Sequence, residues 1–196
     1  MYPNKQSNMI YLASTSPRRK ELLKKAGINF KIIKPDYEEA HHKTISPSQA
    51  VKKHAWGKAK SCVKLIQSGI ILSADTIVYL NQKIIGKPRN IKHAFNMLQN
   101  LQGKWHVVYT GFSLIKLEKG KIVKKKTLVD KTRVLLKAMT PEELRKYFLN
   151  VNPLDKAGAY AIQSKNPNIV ENVKGSLNNA IGLPIEKVIK ELKFFK

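Results

Sequence analysis

The sequence predicts an α/β protein built on a mixed sheet. Three observations point there. Short apolar runs alternate with amphipathic stretches that open on capping signals, one strand pair is joined by a two-residue turn, and strands and helices interleave without strict βα alternation. The 196 residues suffice for one domain spanning 1–196, with two lobes around a cleft, because single cores commonly run to about 150 to 250 residues.

Met9 to Ala13 is an apolar run ending in a Ser/Thr cluster. Ser16 then stands at an N-cap position, Pro17 at the first helical position and Gly27 just past the end, with Leu22, Leu23 and Ala26 as the buried stripe. Phe30 to Ile33 reads as the next strand. A loop with Asp36, Glu38 and Glu39 follows, the one dense acidic cluster in the chain. Ser46, Pro47 and Gln49 open a helix of the Ser-x-x-Gln type, expected to run to about Gln67 with His54 and Trp56 inside it.

Ile70 to Ser73 is a buried-type strand that delivers Asp75 at or near its end. Thr76 to Leu80 and Lys83 to Ile85 then form a hairpin around Asn81 and Gln82. Asn90 caps a helix through Leu101, and Gly103 precedes strands at Trp105 to Tyr109 and Phe112 to Leu117. The Lys119-Gly120 turn returns the chain in a long strand through Leu136. Thr140, Pro141 and Glu143 make a second capping box, whose helix ends near Asn150. Asn152 and Pro153 start an irregular, functional stretch through Gln163. After a turn-rich segment, Pro184 opens an amphipathic helix carrying Ile185, Val188, Ile189 and Leu192.

Composition narrows the function classes. No apolar run approaches the roughly 18 residues of a membrane span, and the opening MYPNKQSN lacks the apolar core of a signal peptide, so a soluble, unexported, cytoplasmic chain is expected. The single Cys62 supports neither a disulfide framework nor a thiolate metal cluster. Basic residues number 37 against 13 acidic, a net charge of +24. That balance favours an anionic partner. Yet 32 of the basic residues are lysines and only 5 are arginines, whereas a nucleic-acid binder leans on arginine and shows a recognised module. The densest basic run, KIVKKKTL around Lys126, alternates with Ile122, Val123, Thr127 and Val129 as the solvated face of a strand would. The histidines are single apart from His41-His42, without the paired spacing of a zinc helix.

Several residues could carry chemistry. The first strand-loop-helix junction is a reasonable anion site, because N–H groups and the helix dipole favour negative charge there, and Ser14, Ser16, Arg18 and Arg19 add donors. Two arginines in a first turn oppose the dipole, which is either a functional site or a solvated surface pair. Asp75 is either a cleft carboxylate at a strand end or a turn residue bonding its own backbone. Lys58 in GKA and Lys87 in GKP are unremarkable alone.

Taken together, LASTSPRRKELL (12–23), SADTIV (73–78), GKP (86–88), YTG (109–111), LDKAGAYAIQ (154–163) and IGLP (181–184) occur in that order. They resemble the signature blocks of the Maf family of nucleotide pyrophosphatases. The resemblance covers nearly the whole chain and implies an elongated, ITPase-like α/β fold with a central mixed sheet, flanking helices and a nucleotide cleft. The implied reaction is attack of water on the α-phosphorus of a nucleoside triphosphate, expelling pyrophosphate, with a divalent metal, Mg²⁺ or Mn²⁺. By the same resemblance Asp75 is the proton acceptor, and Arg18, Thr76 and Gln163 tune base recognition.

The residue chemistry is consistent with that. A triphosphate carries about four negative charges, for which Ser14, Arg19, Lys58 and Lys87 are the phosphate-binding candidates. A hard metal takes one or two carboxylates plus phosphate oxygens, for which Asp75 and Glu39 are the candidates. Base and metal-ligand roles for Asp75 stay open in the sequence. SPRR with ADT and a glutamine at 163 is similar to the branch acting on dTTP and UTP; the 7-methyl-GTP branch carries a Trp in the first block and a Gln in place of the Thr. Two departures stand out: Gly175-Ser176 is followed by Leu177, Asn178 and Asn179 where GSY is usual, and Trp56-Gly57 precedes Lys58 where a charged pair is common. A broad triphosphate scavenger, a catalytically quiet regulator of cell division and a basic nucleic-acid binder are the competing readings. A homodimer is compatible with the resemblance, and no membrane partner is expected.

Overall fold

A computed structural model describes residues 9–39, 45–163 and 168–195. The MYPNKQSN opening and the His41-His42 pair lie outside the described residues. The elements in chain order are β1 (Ile10–Ala13), α1 (Pro17–Lys25), β2 (Phe30–Ile33), α2 (Pro47–Ser61), β3 (Gly69–Leu80), β4 (Lys83–Ile85), α3 (Ile91–Leu101), β5 (Trp105–Glu118), β6 (Lys121–Leu136), α4 (Pro141–Asn150), β7 (Val170–Lys174), α5 (Leu177–Ile181) and α6 (Ile185–Leu192). Among these residues the sheet order is β2-β1-β3-β5-β6-β7, with β4 on β3. Strand β1 pairs parallel with β2 and β3, while β3–β4 and β6–β7 are antiparallel, so the sheet is mixed. No helix among the described residues is long and apolar enough to cross a membrane.

The chain forms two compact units, one of residues 1–75, 110–130 and 182–196 and the other of residues 76–109 and 131–181. In the first unit, Ala13, Ala59, Cys62, Ile66, Ile71, Ile115 and Leu117 make a buried cluster between α2 and strands β1, β3 and β5. Helix α2 starts where local chemistry says it should: the Ser46 side chain accepts from the Gln49 N–H, and Gln49 reaches back to the Ser46 N–H. It stops at Ser61, not Gln67, and a 3₁₀ turn at Val63–Leu65 follows. Two contacts fix it on the sheet. Ser73 Oγ donates to the Ala55 carbonyl at 2.5 Å, and Gly111 of the YTG block sits so close that an added Cβ would lie 2.5 Å from the Val51 carbonyl carbon. Glycine there permits the backbone approach.

Residues 121–126 of β6 are all exposed, Ile122 and Val123 among them, so the run is solvated as expected but lacks the expected apolar alternation. Its lysines are nonetheless engaged: Lys124 Nζ donates to the Phe194 carbonyl and lies over the Phe195 ring, Lys125 lies over Trp56, and Lys126 pairs with Glu191 at 2.7 Å.

In the second unit the core gathers Val78, Leu98, Leu101, Val108, Val134, Leu136, Leu144 and Tyr147 with the segment Ala159–Ile162. Helix α3 spans the expected residues, with Asn90 Oδ1 accepting from the His93 N–H, and α4 carries the expected Thr140/Glu143 box. Asn81 and Gln82 both take positive φ, +47° and +60°, as a two-residue hairpin of this type requires. Strand β7 and helix α5 replace the turn-rich segment expected there. Strands β3 and β5 are each unbroken where two strands apiece were expected.

The irregular segment after α4 is held from within. Gly158 at φ +71° turns the chain, and a Cβ on it would crowd Val78, Leu101 and Tyr160 at 3.0 to 3.3 Å. Tyr147 Oη accepts from the Ala161 N–H at 2.8 Å, and burial pushes that phenol up to about 12. His106 Nε2 and Tyr160 Oη lie 2.8 Å apart, both buried. Burial drops the His106 imidazole from 6.5 to about 4. The folded protein therefore holds His106 neutral while the unfolded chain takes up a proton below about pH 6.5. Stability contributed by this group is present above that pH and is lost as pH falls toward 4. The loss should reach roughly 3 kcal/mol from the size of the shift. Urea denaturation at pH 7 and pH 4.5 measures it, and a His106→Asn variant should show a visibly shallower dependence.

Candidate active site

The first unit brings six of the nine candidate residues into one neighbourhood. At the centre, Lys58 Nζ lies 2.6 Å from Asp75 Oδ1 and 2.6 Å from Glu39 Oε1. The Lys58 and Asp75 side chains are only 12% and 7% exposed, whereas Glu39 is 46% exposed. One arm of this bridge is thus buried, where an ion pair is costly to break, and the other faces solvent. Asp75 lies inside the long β3 and not at a strand end, which corrects the expected break. Ser73 and Asp75 alternate onto the face that carries α2, as residues i and i+2 of a strand do. Helix α2 in turn presents Lys58 to that carboxylate.

Asp75 Oδ2 is buried and has no hydrogen-bond partner among the described residues. A carboxylate oxygen left so is costly in a finished protein interior and points to a ligand or a reacting group. Next to it, Arg19 Nε donates to the Gly182 carbonyl at 2.8 Å and its Nη1 donates to Ser14 Oγ at 3.2 Å. The SPRR and IGLP blocks therefore meet through one guanidinium. Burial lowers the Arg19 pKa; the Asp75 carboxylate draws it back up, Arg18 pushes it down and Glu39 draws it up. Ser14 is buried and its Oγ also accepts from the Ser16 N–H at 3.2 Å, so its own proton is left for a further acceptor. Ser16 occupies the N-cap position of α1 without a side-chain capping bond, and Arg18 is half-buried in the first turn.

The remaining candidates belong to the second unit. Thr76, directly after Asp75 on β3, is half-buried and alternates onto the opposite face of the strand. Lys87 is exposed in the loop between β4 and α3. The neighbouring Gly86 carbonyl accepts from the Gly158 N–H at 3.0 Å, which joins the GKP loop to the LDKAGAYAIQ segment. Gln163 ends that segment in a turn and is exposed.

Sequence reasoning missed Tyr37 and His54. Tyr37 Oη lies 3.1 Å from His54 Nδ1, and the two rings meet edge to face with centroids 5.9 Å apart. Burial, then the Asp75 and Glu39 carboxylates, push the Tyr37 phenol upward, so its ring shares the electrostatic field of the cluster. The one sequence signal was the glycine at position 57 inside a helix. The GSLNN departure also has a structural use: Asn179 is buried, and its Nδ2 donates to the Val108 carbonyl and to Thr132 Oγ1.

Among the described residues no group of three or more His, Cys, Asp or Glu side chains could hold a metal. The donor set suits a hard cation of another kind, one that takes two carboxylates and completes its shell with phosphate oxygens and water. The Asp75 and Glu39 carboxylates are of that type.

Residues 9–195 match the family described as Maf-like protein. The chain belongs to that family. Among Maf-like relatives, the dTTP/UTP pyrophosphatase of Thermosipho melanesiensis is 46% identical over 179 residues, which is 91% of this chain and 93% of the relative. That of Gloeobacter violaceus is 39% identical and that of Bacillus cereus 43% identical, each over 186 residues and 95% of both chains. The Maf-like blocks quoted above are thus embedded in similarity along almost the whole described chain.

Proposed function

We propose that this Maf-like protein hydrolyses dTTP and UTP to the monophosphate and pyrophosphate. The observation that carries the reading is the buried Asp75 oxygen without a partner, set beside a lysine and an arginine in a chain whose full-length relatives bear the name dTTP/UTP pyrophosphatase. In the proposed reaction a water molecule attacks the α-phosphorus and Asp75 Oδ2 takes its proton. Lys58 holds Asp75 through Oδ1, which leaves Oδ2 to face the water. The Ser14 hydroxyl, Arg19, Lys58 and Lys87 bind the phosphate chain and offset the charge that gathers on the departing pyrophosphate. Asp75 and Glu39 would hold a divalent metal, which when bound supplies Lewis-acid polarisation of a phosphoryl oxygen. Arg18, Thr76 and Gln163 read the base. The 1–196 chain acts as one Maf-like domain of two lobes.

A nucleotide panel tests this directly. With Mg²⁺ or Mn²⁺ present, dTTP and UTP should each yield one pyrophosphate and one monophosphate. Orthophosphate with a diphosphate product, or no turnover of any nucleotide, would refute the assignment.

A further inference from the structure

Position 57 poses a question the reaction does not answer. A glycine in a helix interior is disfavoured because it loses more conformational freedom than any other residue. Here it lies one residue before Lys58. A Cβ at Gly57 would run into the Tyr37 ring, 2.5 Å from Cζ and 2.7 Å from Cδ2. The glycine is therefore the seat of the tyrosine. His54, three residues earlier and on the same helix face, meets the hydroxyl of that ring at 3.1 Å. His54 is itself buried, where an imidazole needs hydrogen-bond partners.

The segment pinned this way is the one that carries Glu39. It leaves β2 at Ile33, and the Lys34 carbonyl lies 3.8 Å from Cys62 Sγ, a weak thiol contact at the far end of α2. Tyr37 is then clamped against the middle of the helix. Two residues on, Glu39 reaches Lys58, one residue from the seat. The Glu39–Lys58 pair is half-exposed on the Glu39 side, and such exposed pairs contribute little alone.

We propose that Tyr37, seated on Gly57 and hydrogen-bonded to His54, is a positioning residue that holds Glu39 at Lys58 beside Asp75. This rests on the reading of that cluster as the reacting site. Tyr37 does not itself touch the substrate.

The test compares Gly57→Ala, Tyr37→Ala and Tyr37→Phe, each alone and combined with Glu39→Gln, by kcat, KM and amide hydrogen exchange over 34–39. Gly57→Ala improves helix propensity, so it should keep the fold while evicting the ring. Gly57→Ala and Tyr37→Ala should lower kcat about tenfold or more with KM nearly unchanged, whereas Tyr37→Phe, which keeps the ring, should lose only about threefold. In the Glu39→Gln background the same changes should cost less than about twofold, because residues acting as a unit are not additive. Exchange over 34–39 should rise about tenfold in Gly57→Ala and Tyr37→Ala, a readout that needs no turnover. Unchanged exchange, or an equal loss of kcat with and without Glu39, overturns the proposal. A wild-type protein that releases no pyrophosphate refutes the proposed function instead, and the exchange result then still decides whether the clamp exists.

Discussion

Asp75→Asn is expected to lower turnover by about 10²-fold to 10⁴-fold, the usual cost of losing a general base, while nucleotide binding persists. The geometry sharpens the reason. The amide can meet Lys58 only through its oxygen, because the ammonium has donors alone to offer. Its NH₂ then occupies the place of Oδ2 and presents hydrogens where a proton must be accepted. The shape of the site is kept, and Lys58 retains Glu39 as an ionic partner. Single-turnover pyrophosphate release gives the rate, and calorimetric titration with a non-hydrolysable dTTP analogue gives the affinity. Turnover near the wild-type value would take Asp75 out of the chemistry.

The second large effect concerns the base. Expected kcat/KM values for dTTP and UTP exceed those for ATP, GTP and 7-methyl-GTP by about 100-fold or more, since two unmade bonds at about 1 to 3 kcal/mol each suffice for that. Gln163 carries most of the argument. Its amide donates and accepts at once, which fits the alternating carbonyl and N–H edge of thymine or uracil. It is exposed, and thus available to a ligand, yet the residues before it are pinned by the Tyr147 bond to Ala161 and by the His106–Tyr160 pair. A side chain on an anchored segment loses less freedom on binding than one on a loose loop. Values within a few-fold across the five nucleotides would sink the preference and leave pyrophosphate release untouched.

Much of the fold was legible because the signals were local. The Ser46/Gln49 and Thr140/Glu143 boxes and the Asn90 cap each complete their chemistry within four residues, and all three helices begin where the sequence places them. Strand β3 was misread as two because Ser73 and Asp75 interrupt an apolar run. Their partners, the Ala55 carbonyl and Lys58, lie 18 and 17 residues away, so nothing nearby showed that polar groups could be buried there. Strand β7 and helix α5 are five residues each, too short for periodicity to register. Even so, the Ser176 side chain accepts from the Asn179 N–H, a local cap that was available to be read. In the site, the residue types were readable and their pairings were not. Tyr37 escaped notice because its meaning depends on a glycine 20 positions later.

The bond from Arg19 to the Gly182 carbonyl joins residues 163 positions apart, and it has a consequence for how the protein is made. The first unit is assembled from three stretches of chain, with the whole second unit threaded between them. Contacts of such sequence separation close slowly, because the entropy of a long loop must be overcome before the contact repays it. During synthesis, at about 5 to 20 residues per second, roughly 8 to 30 seconds pass between the emergence of Arg19 and of its partner. Throughout that interval the first unit lacks its last stretch, whose Leu183, Ile185, Val188, Leu192 and Phe195 are buried in the folded protein, and the apolar surface they would cover is open to chaperones. A pulse of ribosome-bound chains halted before residue 182 should therefore be captured or cleaved, and those extended through α6 should resist.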